Sequence, residues 1–274
     1  MMGKIRNLAF TIFSFLSLSL LSACSDSSDG DINIASDFEN SRTYFSTSTS
    51  VELEVVYEPD AAPLTEDTFG GGIPIWGITQ ANIEEVFSDR PLPVFVNVPT
   101  SLSQMTQVPT QNKTRWTVED ILQFTDDFRR NRSSAIQTYF FVAFVNGIFV
   151  NNDGVEQPST IGLNVTGTPI CFIFKDVVSA GSSGDNNALV AFLEQSTLVH
   201  ELGHAFGYVN NGIPLASDHW DEENGAHCTN ENCVMFWLNE GVRNLTQFVE
   251  QYMDSGSLIL YGEECILDAR EYLP

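Results

Sequence analysis

All four histidines of the chain, His200, His204, His219 and His227, fall in one short stretch, and two of them frame the string His200-Glu201-Leu202-Gly203-His204. On a helix, residues i and i+4 stand one turn apart on one face, so both imidazoles can meet a single metal ion. Nitrogen donors at about 2.0–2.1 Å suit zinc, whose catalytic sites take three protein ligands and leave the fourth position open. Glu201 can reach a water on that open side and take its proton as the water attacks a peptide carbonyl. The flanks, Ser196 to Val199 before and Leu202, Ala205 and Phe206 after, are those of a largely buried helix. Two imidazoles and a carboxylate are costly there unless something satisfies them. The spacing therefore predicts one catalytic Zn2+ and hydrolysis of peptide bonds, with Glu201 as general base.

A third ligand must come from elsewhere. The residues on offer are His227 and His219, with Asp218 and Glu222 as oxygen donors. The string HELGHAFG, His200 to Gly207, resembles the start of the metzincin signature. In that signature the glycine lets the chain turn after the helix, and a His or Asp three residues on reaches the metal. Here that position is Asn210, a poor zinc ligand. Further along, His227-Cys228, four residues, Cys233-Val234-Met235 resembles the archaemetzincin continuation. The resemblance implies His227 as third ligand, after a longer excursion from Tyr208 to Ala226, and Met235 in a tight Met-turn beneath the metal. Residues 197–238 as a whole look like a group of bacterial lipoprotein metalloproteases related to metzincins, and the likeness is weak elsewhere. Archaemetzincins also carry a downstream Cys-x-x-Cys that helps to hold a second, structural zinc. This chain has only Cys265 there, so a single zinc is expected.

The other cysteines suit an exported chain. Lys4 and Arg6 precede an apolar run from Leu8 to Leu21, and Leu21-Ser22-Ala23-Cys24 resembles the lipobox of bacterial lipoproteins. Residues 1–24 are then a signal peptide, Cys24 carries the lipid, and the Ser/Asp-rich residues 25–40 are a flexible tether. That places the protein in a bacterial cell envelope, facing the periplasm or exterior, with a lipid as its only membrane contact. Four cysteines remain, and an even number in an oxidising compartment favours disulfides. The expected pairs are Cys228–Cys233, which closes a short loop, and Cys171–Cys265; the alternative is metal binding by those thiolates. Thirty-six acidic residues against twelve Lys and Arg give a net charge of −24, which rules against binding to nucleic acid. A peptide or protein substrate and a monomeric state are the remaining expectations.

Several elements must hold these residues in place. SVELEVVYE (50–58), PVFVNVP (93–99), QTYFFVAFV (137–145) and TPICFIFKDV (168–177) read as strands. Residues 79–88 read as a helix. So does 117–131, where Thr117 and Asp120 make a capping box and Arg129 and Arg130 sit in the last turn. The histidine helix runs from about 188 or 194 to 207, and two short helices follow near 245–254 and 263–271. The fold class is α+β and metzincin-like. It comprises a twisted mixed sheet with helices, the zinc helix at a cleft, and a domain over 41–274 whose smaller C-terminal lobe (208–274) follows a larger one ending at about 207. The resemblance to metzincins also implies an edge strand for substrate, to be placed somewhere in 138–175. The competing reading is a non-catalytic surface lipoprotein that keeps zinc as a structural staple in a closed, four-ligand site.

Overall fold

An apolar run as continuous as QTYFFVAFV needs cover on both faces, and in the computed structural model it becomes an inner strand of the main sheet. The structure describes residues 40–69, 72–180 and 187–272. The expected leader 1–24 with Cys24, and all but the last residue of the 25–40 tether, lie outside them. Among the described residues no helix is long and apolar enough to cross a membrane.

In chain order the first elements are α1 (Asn40–Ser46), β1 (Ser50–Tyr57), β2 (Thr68–Phe69), β3 (Ile73–Pro74), α2 (Gly77–Val86), β4 (Phe95–Asn97), β5 (Thr106–Gln107), β6 (Arg115–Trp116) and α3 (Val118–Phe128). Then come β7 (Gln137–Val145), β8 (Ile148–Val150), β9 (Glu156–Gln157), β10 (Gly162–Asn164), β11 (Ile170–Phe174), α4 (Lys175–Ala180), α5 (Asn187–Phe206), α6 (Val242–Ser255) and α7 (Glu263–Glu271). The main sheet has the order β10-β11-β7-β1-β4, with β5 also on β1. All its pairings are parallel except that of β10, which runs antiparallel to β11 and forms one edge. This is the mixed α+β sheet that the alternating elements predict.

The helix α5 packs on β10 and β11 and also meets α2 and α6. Its apolar residues Leu198, Val199, Leu202 and Phe206 are fully buried. Several of its buried polar residues find partners, as a dry interior favours, while Gln195 Nε2 and Ser196 Oγ have none among the described residues. Glu194 pairs with Lys175 and accepts from the Leu64 N–H at 2.9 Å. Gln195 accepts from Thr79 Oγ1 at 2.7 Å, and Thr197 Oγ1 donates to the Leu193 carbonyl at 2.9 Å. The ion pair also explains a shortened strand: Lys175, expected within 168–177, instead opens α4. Near the other face the capping box of α3 forms as its sequence predicts. Arg129 and Arg130 nevertheless lie past the last turn, because the Glu54 carboxylate draws the backbone N–H groups of Arg130 and Asn131 out to itself.

After α5 the chain turns at Gly207, whose φ of +92° favours glycine. A Cβ there would also stand 2.7 Å from Ser41 Oγ. The returning segment at 258–261 is held by the buried Asn82 of α2. Its amide donates to the Leu258 carbonyl and accepts from the Leu260 and Tyr261 N–H groups. Val234 N–H in turn donates to the Leu260 carbonyl, and Tyr261 Oη to that of Val199. This chain of bonds fixes the 233–235 turn against the histidine helix.

Candidate metal centre

His200, Glu201 and His204 share the face of α5 that looks toward β10. His227 comes to them from a tight loop in which Asn224 N–H donates to the Asp221 carbonyl and Asp221 N–H to the His227 carbonyl. The three imidazoles stand with ring centroids 4.8, 5.0 and 5.3 Å apart. The Nδ1 of His200 lies 2.7 Å from the Val234 carbonyl, and that of His227 lies 2.7 Å from the Asn224 carbonyl. A carbonyl only accepts, so both Nδ1 atoms carry the proton and both Nε2 atoms present lone pairs inward.

The two Nε2 atoms of His200 and His204 face each other at 3.1 Å. The Nε2 of His227 is 3.1 Å from Glu240 Oε1 but outside hydrogen-bond geometry, so a buried ring nitrogen stays without a bond. Left so, it costs about 1–3 kcal/mol. A cation shared by the three rings removes that cost. His200, His204, His227 and Glu240 together form a group that could hold a metal ion.

The electrostatics keep two of the three rings neutral and ready to ligate. Burial, with His227 nearby, pushes the His200 pKa down to about 4, and burial and the other two rings push His204 well down. Burial also opposes charge on His227, but Glu240 outweighs it and raises its pKa. Burial likewise works against the Glu240 carboxylate, and the facing histidines pull its pKa down. Glu201 stands apart from this group. Burial and then the Glu240 charge push its pKa well up, opposed by the Asn164 backbone N–H that its carboxylate accepts.

Around these residues lies a cleft of about 480 Å3, lined by Glu201, His204, His227 and Glu240 and by β10 with Thr160, Asn211 and Asn224. Among the described residues, no Lys or Arg lines it. Gly162 of β10 lets the strand press on the helix: a Cβ there would meet Thr197 Cγ2 at 2.6 Å and Glu201 Oε1 at 2.7 Å. Beneath the helix, Met235 is fully buried, and a Cβ on Gly203 would run into its sulfur.

Of the expected ligands, His200, His204 and His227 are brought together. His219, the rival third ligand, lies elsewhere, with Nδ1 3.3 Å from Cys228 Sγ and Nε2 2.9 Å from Asp268 Oδ2. Asp218 and Glu222 point to solvent, and Asn210 is exposed with φ +60°. Neither expected disulfide is formed, since Cys171, Cys228, Cys233 and Cys265 are all free thiols. Cys171 is held on β11 near Asn164 and Glu201, while Cys265 comes to Cys233 instead. Sequence reasoning missed Glu240, Gly162, Asn82 and Asp268. Each acts over a long sequence separation or through the lack of a side chain, and no spacing rule marks it.

No protein-family model matches the chain, and comparison with curated proteins gives no match. The class of protein must be read from this geometry.

Proposed function

We propose that the chain is a zinc-dependent endopeptidase of metzincin-like build. The observation that carries this reading is the convergence of three histidine Nε2 atoms beside a buried, separately held carboxylate, in a cleft bordered by an edge strand. The donor set fits zinc: three imidazoles, two with their tautomer fixed by a carbonyl. His200, His204 and His227 would hold the ion, which when bound supplies a Lewis acid to the scissile carbonyl.

The chain's own groups supply the rest. β10 offers its free edge to an extended peptide, by the strand pairing that sheet edges allow. Glu201, with a raised pKa, takes the proton from the attacking water and returns it to the leaving amine. Gly162 and the Asn164 N–H fix where that carboxylate stands. Met235 packs under Gly203 as a floor, in the manner of a Met-turn. Export with a lipid on Cys24 would put this activity in a bacterial cell envelope, on a monomer acting on peptides or proteins.

One observation favours the second reading, a closed structural site: Glu240 Oε1 belongs to the ligand group. Its side chain is 56% exposed, which suits a group that can swing away. Two substitutions separate the readings. In the enzyme, Glu201→Gln keeps its zinc and cuts a fluorogenic peptide library about 10²–10⁴-fold more slowly, and Glu240→Ala keeps both zinc and activity. If Glu240→Ala loses the metal and Glu201→Gln cuts as well as the unaltered chain, the site is a staple and not an active site.

A further inference from the structure

Among the described residues, three of the four free thiols gather around His219. Cys233 Sγ lies 3.6 Å from Cys265 Sγ, and His219 Nδ1 lies 3.3 Å from Cys228 Sγ and 3.9 Å from Cys265 Sγ. The donor atoms of His219, Cys228 and Cys265 all lie within 4.8 Å of one another in a group that could hold a metal ion, and Cys233 meets it through Cys265. A tetrahedral site with metal–sulfur bonds of about 2.3 Å and metal–nitrogen bonds of about 2.0–2.1 Å puts its donor atoms about 3.5–3.8 Å apart. The measured separations bracket that range.

The surroundings are those of a thiolate site. All three sulfurs are fully buried, and His219 is nearly so. Backbone N–H groups point at the sulfurs: Gly262 at 3.0 Å and Met235 at 3.4 Å to Cys233, and Asn230 at 3.4 Å to Cys228. Such donors favour negative sulfur. The buried Asp268 accepts from His219 Nε2 at 2.9 Å, so the Nδ1 lone pair is the one turned to the thiols. A carboxylate behind the far nitrogen is the usual support of a metal-bound histidine. Buried thiols packed against one another and an imidazole, with no disulfide among them, gain most from a shared soft cation.

We infer that His219, Cys228, Cys233 and Cys265 form a second metal site, a closed thiolate-rich one that takes zinc and plays no part in the chemistry of the cleft. Its position gives it a task. Cys228 follows His227, and Cys233 precedes Val234, whose carbonyl receives the His200 Nδ1 proton. An ion here ties both ends of the 228–233 loop to α7 and so sets the positions of one ligand and of the support of another.

The test uses the full chain with His200→Ala and His204→Ala together, which removes the first site whatever its function. Loaded with zinc, this variant is expected to hold one ion per chain, where the unaltered chain holds two. Cys228, Cys233 and Cys265 should resist alkylation until a chelator is added. Loaded with cobalt instead, it should show the intense sulfur-to-cobalt charge-transfer absorption, which needs no substitution within the cluster. Adding Cys265→Ser should abolish both. A double variant that binds no metal, whose three thiols alkylate freely or are recovered as a disulfide, overturns the proposal. Failure of the peptidase reading would leave these results unchanged.

Discussion

His227 and Cys228 are neighbours in the chain and serve different clusters. Successive side chains of an extended segment point to opposite sides, and here the segment is extended: Cys228 bridges both Trp220 and Phe236. One side meets the nitrogen-rich group of His200, His204 and His227, which borders a cleft. The other side meets the sulfur-rich group of His219, Cys233 and Cys265, which is shut off from solvent. The contrast matches the two habits of zinc: an open position where chemistry is done, full enclosure by soft donors where it braces a fold. It also explains why the histidines cluster so tightly in sequence: they belong to two centres that share one short segment.

The largest break in this comparison comes from His204→Ala. It should empty the cleft site and remove peptide hydrolysis while leaving thiol protection unchanged, as metal analysis and alkylation would show. Asn82→Ala should strike both centres, because the segment Asn82 holds supplies the Leu260 carbonyl to Val234 and the Gly262 N–H to Cys233. Leaving those backbone groups unpaired costs about 1–3 kcal/mol, readable as a lower melting temperature, with weaker metal retention at both sites. Gly162→Ala separates them. Overpacking against Thr197 and Glu201 costs about 1–3 kcal/mol, and hydrolysis should fall further than stability explains while the sulfur cluster keeps its metal.

Asp120→Asn is the control remote from both sites. Loss of its charge in the α3 capping box should cost about 0.5–1 kcal/mol and change neither metal. Burial opposes the Asp120 charge, but Lys113 and Thr117 hold its pKa below 3.8. Its contribution is therefore present above that pH and is lost as the solution is acidified through the lower folded value. In the Asn variant this acid-limb loss should be absent from the melting curve.

Much of the frame was legible in local pattern. The i, i+4 histidines, the apolar run of β7 and the Thr117–Asp120 cap each depend on residues within a turn or a strand, so period and residue type sufficed. The cap nevertheless misled on Arg129 and Arg130, because the competing Glu54 carboxylate lies on β1. The disulfide expectation went wrong for a similar reason. An even count and a short loop say nothing of where Cys265 arrives, and α7 delivers it to Cys233 and His219.

By itself the sequence determined that two imidazoles and a carboxylate share one face of a buried helix, because a helix's own geometry sets that. Tertiary structure decided which histidine joins them, which one turns to the cysteines, and that Glu240 stands beside the three rings. Those choices depend on how the loop from Tyr208 to Met235 pairs with itself and with the 258–261 segment that Asn82 holds. Contacts across that distance leave no periodic trace in a chain.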